Sequence, residues 1–201
     1  MSGVGNEPED GTGLTPLQRP ETPEVTLGTE TELVGVCGFP GVGKSTVSEY
    51  ITDALGAKRL RTDAVRKELF DDPTYSSAES RTVYETTFER ARELLEAGET
   101  VVVDASFSNR QYRDGAKGVA VDCGVPFHLV KVDCDEGTTV SRIERRDGIS
   151  DADVAVYYEV RDGFDPIERD HARIDNSGSW ERTRAQVDAL LPKGPRRRER
   201  I

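Results

Sequence analysis

Residues 33–46, LVGVCGFPGVGKST, decide how the chain is read. After the apolar run LVGVC, Gly38-Phe39-Pro40-Gly41-Val42-Gly43-Lys44-Ser45 fits G-x-x-x-x-G-K-[ST] without a gap, and Thr46 follows. VSEYITDALG behind it can form a helix, so the expected order is strand, glycine-rich loop, helix. There, successive backbone N–H groups and the helix N-terminus converge on one anion. Glycines 38, 41 and 43 permit backbone conformations that a Cβ would obstruct and let the chain approach phosphate oxygens closely. The nucleotide contacts expected from this loop are Gly38, Pro40, Gly41, Val42, Gly43, Lys44, Ser45 and Thr46. Lys44 would reach the β and γ oxygens, and the Ser45 hydroxyl would serve Mg²⁺, a hard cation that prefers oxygen ligands. ATP and Mg²⁺ are therefore the expected cofactors, while the loop is silent about a second substrate.

Working outward, apolar runs alternate with helical patterns. LVGVC (33–37), KRLR (58–61), TVVVDAS (100–106), PFHLVKV (126–132) and ARI (172–174) read as strands. The third is apolar at consecutive positions, which implies burial on both faces, as in a parallel sheet. Tyr84, Phe88, Ala91 and Leu95 form the stripe of an amphipathic helix, opened by Ser76 and Glu79 as a capping box and ended by Gly98. A short helix is expected from Asp63. The alternation predicts a doubly wound α/β sandwich with its ligand at the carboxyl ends of the strands.

Composition bounds the rest. The 201 residues suit one domain. A net charge of −11 argues against an extended nucleic-acid interface. Cys37, Cys123 and Cys134 are odd in number and lack a C-x-x-C pair, which suits reduced core thiols. With no long apolar stretch and no leader pattern, neither a membrane span nor a signal peptide is expected, and the cytoplasm is the expected compartment. Residues 1–31, rich in Gly, Pro, Thr and Glu, read as a disordered N-terminal tail; 32–191 as the folded domain; and 192–201, PKGPRRRER and the final Ile, as a basic C-terminal tail.

Chemistry beyond the loop rests on a few side chains. Asp104 closes TVVVD, where a buried strand would deliver a carboxylate to the metal or simply cap the turn. The following Ala105-Ser106-Phe107 does not match the D-x-x-G of a guanine-nucleotide switch. In RLRTDAVRKELF, Asp63 and Arg66 are three residues apart and would project to one side of a helix. Asp63 is the candidate base and Arg66 the cation that holds the acceptor; the plain alternative is a helix cap and a surface arginine. Arg59, Arg61 and Arg66 together suggest an anionic acceptor. Arg142, Arg145 and Arg146, on one face of a helix before Gly148, read as a lid closing over the γ-phosphate, or else as cations complementing a helix C-terminus. Ser106, Asn109 and Arg110 stand as acceptor-pocket candidates beside an N-cap reading. His128 reads as core, and His171, Trp180 and 176–178 carry no assignment.

GFPGVGKST, TDAVRKELF, ETVVVDASFSNRQYRD and RIERRDGISDADV together resemble the P-loop kinases similar to phage 5′-polynucleotide kinase and the zeta-toxin type, a group labelled AAA-type ATP-binding domains. The similarity covers roughly residues 33–191. It implies a three-layer α/β P-loop kinase fold with a five-stranded parallel sheet and a short helical lid. It also implies a D-x-x-R pair, Asp63 and Arg66, as base and acceptor-binding arginine, and a lid pair, Arg142 and Arg146. Transfer of the γ-phosphoryl group to a hydroxyl of a small molecule or nucleic-acid end is the implied activity. The competing expectation is an ATPase or nucleotide-binding regulatory module without an acceptor.

Overall fold

The computed structural model describes residues 25–145 and 154–192. Five strands, β1 (Leu33–Cys37), β2 (Lys58–Arg61), β3 (Val101–Asp104), β4 (Phe127–Asp133) and β5 (Ala172–Asp175), pair in parallel in the order β2-β3-β1-β4-β5. The central β1 and β3 are buried at every residue, as the unbroken apolar runs require of strands covered on both faces. The edge strand β2 carries Lys58, Arg59 and Arg61, charges that discourage pairing with another chain.

Alternation along the strands splits the core in two. Leu33, Cys37, Val101, Val103 and Leu129 face α3 (Ser77–Glu96) and α4 (Arg110–Asp122). Val34, Val36, Val102, Val130 and Val132 face α1 (Lys44–Leu55) and α7 (Trp180–Leu190). Three short helices, α2 (Thr62–Leu69), α5 (Glu136–Glu144) and α6 (Val154–Asp162), stand beyond the strand ends. The result is the expected three-layer α/β sandwich, with the loop after β1 at the carboxyl edge.

Two local expectations are corrected. Residues 25–31 do not belong to a disordered tail. Leu27 is fully buried and its amide donates to Leu190 O at 2.7 Å, because an apolar side chain at that point caps the α1–α7 side of the core. Residues 1–24 and 193–201 lie outside the described residues. At α3, Ser76 Oγ accepts from Glu79 N as expected, but the Glu79 carboxylate turns to Thr74 N, Thr74 Oγ1 and Tyr75 N instead of closing the box on Ser76. These bonds hold its carboxyl below the usual range.

At the opposite, amino edge, Glu32 is fully buried. Its Oε1 accepts from Gly28 N at 2.6 Å; its Oε2 lies 3.4 Å from His128 Nε2 and has no hydrogen bond. Burial, with the Glu30 charge added, pushes the carboxyl up to about 7, and burial lowers His128. His128 is half-buried at the start of β4, close to the core role expected of it.

Candidate active site

Each glycine of the phosphate loop is demanded by a neighbour. Gly38 has φ 142°, and a Cβ there would stand 2.4 Å from Val132 O. At Gly41 (φ 82°) it would meet Ile143 and Thr139 of α5 within 2.9 Å, and at Gly43 (φ 92°) Asn176 Nδ2 at 2.2 Å. Gly43 is the N-cap of α1, and no side chain caps that helix or places an acid in its first turn. The amides of Lys44, Ser45 and Thr46 thus precede the first intrahelical bond, Val47 N to Gly43 O, and face the loop with the positive end of the helix behind them. Lys44 Nζ donates to Phe39 O at 2.8 Å, so the ammonium folds over its own loop. Val42 is fully buried, and its carbonyl accepts from Asn176 Nδ2.

Asn176 is the residue that the sequence reading left unassigned and that the structure places at the centre. It is 7% exposed; its Nδ2 donates to Val42 O at 2.8 Å, its Oδ1 accepts from Thr183 Oγ1 and its amide donates to Asp133 O. One residue so ties the phosphate loop to α7 through its side chain and to the end of β4 through its amide. The available signal was its position, directly after the last strand.

Asp104 is 5% exposed at the end of β3. Ser48 Oγ and Arg59 Nη2 both donate to its Oδ2 at 3.1 Å, and Arg61 Nε lies 3.7 Å from the same oxygen. Ser48 sits one turn beyond Ser45 and bonds its carbonyl, so this carboxylate reaches the helix that carries the loop. The donor chemistry fits Mg²⁺: Ser45 hydroxyl and Asp104 Oδ1 are hard oxygens, and phosphate-bound Mg²⁺ takes only one or two protein ligands. Among the described residues no group of three His, Cys, Asp or Glu could hold a metal by itself.

Asp63 lies in the first turn of α2, exposed, and makes no hydrogen bond or ion pair with the described residues. Its neighbour Thr62 donates to Asp104 O at 3.4 Å, which fixes that turn at the carboxyl edge. Arg66, expected beside it, faces elsewhere. It is 7% exposed, donates to Glu79 Oε2 at 3.4 Å and Ser80 Oγ at 3.2 Å, and stacks on Tyr75. The three arginines read as an anion-attracting group all have carboxylate partners: Arg59 and Arg61 on Asp104, Arg66 on Glu79.

Arg142 sits in the last turn of α5 with Nη1 3.4 Å from Cys134 Sγ and 3.8 Å from the position of a Gly43 Cβ, against the phosphate loop. Arg146 lies outside the described residues. Between α5 and the β5–α7 loop opens a cavity of about 460 Å³ lined by Gly137, Thr138, Ser141, Arg142, Arg145, Ser177 and Gly178. Beyond it, α6 packs on the loop, Tyr157 and Phe164 both meeting the Phe39 ring edge-on.

Across the site, Phe107 (φ 47°) is fully buried and held by Tyr84 OH on its amide and Arg113 on its carbonyl. Arg113, 2% exposed, also donates to the carbonyls of Ser108, Asp165 and Pro166, joining the β3–α4 loop to the segment leaving α6. Asn109 caps α4 through Gln111 N, as its N-cap reading has it, and Arg110 pairs with Glu168. Ser106 Oγ lies 3.5 Å from Tyr84 OH.

A family model described as an AAA domain matches residues 33–167. An uncharacterized protein of Mycobacterium tuberculosis is 30% identical over 170 residues, 77% of this chain, and the chain spans about a third (33%) of its length. A Mycobacterium bovis protein matches to the same extent. Among solved structures, Mycobacterium tuberculosis APS kinase in complex with AMPPNP and APS superposes with TM-score 0.61 at 24% identity, covering 80% of this chain and 98% of that one. A gluconokinase from Sinorhizobium meliloti gives 0.63 at 22% over 80% and 91%. A sugar kinase from Janibacter gives 0.63 at 18% over 78% and 92%. With its phosphate loop, sheet order and span of matched residues, the chain belongs to the AAA domain family and has the P-loop kinase fold.

Proposed function

We propose that the chain is a phosphotransferase that moves the γ-phosphoryl group of ATP to a hydroxyl of a small-molecule acceptor. The observation that carries this reading is the pairing of an uncapped α1 N-terminus, cradled by three glycines that tolerate no Cβ, with an exposed carboxylate, Asp63, at the same edge of the sheet. Loop amides and Lys44 hold the phosphate chain. Arg142, against Gly43, neutralises charge that grows on the transferring group. Asp63 accepts the hydroxyl proton as the acceptor oxygen bonds to phosphorus and the bond to the β-phosphate oxygen breaks, leaving ADP. Ser45 and Asp104 would hold Mg²⁺, which supplies charge neutralisation at the phosphates. The cavity between α5 and Ser177-Gly178 has room for the adenine ring.

The neighbours named above are kinases of small molecules, which favours such an acceptor over an oligonucleotide end. The test is labelled ATP with a panel of sugars, nucleosides, nucleotide sugars and 5′-hydroxyl oligonucleotides. Asp63→Asn is expected to bind ATP normally and to lose transfer by about 10²-fold or more. Full transfer by that variant removes Asp63 from the reaction. No affinity for ATP with Mg²⁺ in the wild type overturns the reading, and hydrolysis with every acceptor refused supports a nucleotide-driven module instead.

A further inference from the structure

The Val42–Gly43 peptide of the phosphate loop is gripped from outside the loop: Asn176 Nδ2 donates to Val42 O at 2.8 Å. The chemistry leaves one orientation for that side chain. A carbonyl oxygen only accepts, so the NH₂ group of Asn176 must face Val42 O, which turns Oδ1 to the Thr183 hydroxyl at 2.8 Å. Thr183 is fully buried in α7, and Asn176 N donates to Asp133 O at 2.7 Å. Head and root of the side chain are thus both held.

The grip has a consequence on the other side of the peptide. A trans peptide is planar and points its C=O and N–H in opposite directions, and among the described residues there is no cis bond. Holding the Val42 oxygen therefore sends the Gly43 N–H away from Asn176. Gly43 is left-handed (φ 92°, ψ 24°) and Lys44 begins α1. That left-then-right succession turns consecutive N–H groups into one anion-binding concavity. Among the described residues nothing accepts a hydrogen bond from Gly43 N. The competing arrangement is a peptide flip. Glycine takes positive and negative φ alike, so a turn of this peptide plane by about 180° meets no Cβ at position 43. It would bring the Val42 oxygen into the concavity and take the N–H out, leaving an acceptor where an anion is to sit.

We infer that Asn176 is a positioning residue for the nucleotide: it locks the Val42–Gly43 peptide against this flip and so keeps the Gly43 N–H aimed at the phosphate chain. The lock also accounts for the glycine. The Asn176 amide covers the face on which a Cβ at position 43 would stand, 2.2 Å from Nδ2. Asn176 touches no reacting atom in this account; it acts through the loop peptide. The inference rests on the nucleotide reading of the loop given above and adds the residue outside the loop that sets one of its donors.

The experiment is NMR of protein carrying ¹⁵N-glycine, together with calorimetry, with ADP and Mg²⁺ as the probe. In the ligand-free protein the residual dipolar coupling of the Gly43 N–H reads the direction of that bond. Asn176→Ala is expected to change this coupling and to leave that of Gly35, in β1, as in the wild type. It should also weaken ADP binding roughly 5- to 150-fold, the range for losing a buried hydrogen bond and leaving its acceptor unpaired. Thr183→Val keeps Asn176 and removes only the hydroxyl that orients it, so both readouts should move in the same direction by less. This milder variant carries the test if melting curves show that Asn176→Ala does not fold. A merely structural Asn176 would lower Tm with the Gly43 coupling and the ADP affinity unchanged, and that outcome overturns the inference. Either readout moving without the other overturns it as well. No affinity of the wild type for ADP and Mg²⁺ overturns the nucleotide reading instead, and the ligand-free couplings still report whether Asn176 sets the peptide.

Discussion

A methyl group at position 43 has nowhere to go. Gly43 has φ 92° and its missing Cβ would sit 2.2 Å from Asn176 Nδ2. Gly43→Ala is therefore expected to break the Asn176–Val42 bond and to cost roughly 1–3 kcal/mol, seen as a lowered Tm together with weaker ATP binding by calorimetry. The glycines were legible because the loop motif is a statement about backbone. Asn176 was not, because its role depends on β5 lying beside β4, a long-range fact that no local spacing encodes. Glu32 gives a pH prediction. Its carboxyl, at about 7 in the fold against 4.5 when free, favours the protonated form in the folded state. Its contribution is therefore complete below about pH 4.5, declines as pH rises and is lost above about 7. The facing groups are Gly28 N, His128 and Glu30. Glu32→Gln should raise stability at pH 8 by an amount on the order of 3 kcal/mol and leave it nearly unchanged at pH 4, measured by urea unfolding at both.

Between elements, the connection that matters is made by one buried cation. Arg113 reaches from α4 to four carbonyls, Phe107 and Ser108 on one side and Asp165 and Pro166 on the other. Arg113→Ala leaves those acceptors without a donor and should cost on the order of 3 kcal/mol, a fall in Tm of roughly 6–12 °C by calorimetry. Faster hydrogen exchange should appear at 105–109 and 164–168 together; exchange rising at only one would show the two segments to be independent. The central β1 and β3 were readable as unbroken apolar runs, since a strand buried on both faces has no other composition open to it, whereas the edge strands β2 (KRLR) and β5 (ARID) owe their places to the alternation of elements around them. The D-x-x-R spacing was read as a shared helix face, yet Asp63 is exposed and Arg66 is drawn into the α2–α3 contact by Glu79. A three-residue offset turns a helix by about 300°, so the two positions diverge by enough for one to be covered while the other is open.

For the molecule as a whole, 38 acidic against 27 basic residues leave a net −11 that repels itself. Raising KCl to about 1 M shortens the Debye length to ~3 Å. Relief of that repulsion should then lift Tm by roughly 2–4 °C for each kcal/mol recovered. A Tm that falls with salt would mean that attractive pairs such as Arg92–Asp122 and Arg110–Glu168 outweigh the net charge.

The contact of Leu27 with Leu190 has a consequence for how such a unit is joined to others. Because α7 runs against the strands, that contact lies at the rim opposite the glycine loop. Entry and exit of the polypeptide are neighbours there. The described chain thus enters and leaves the sheet at the floor of the molecule, with the glycine loop at its roof.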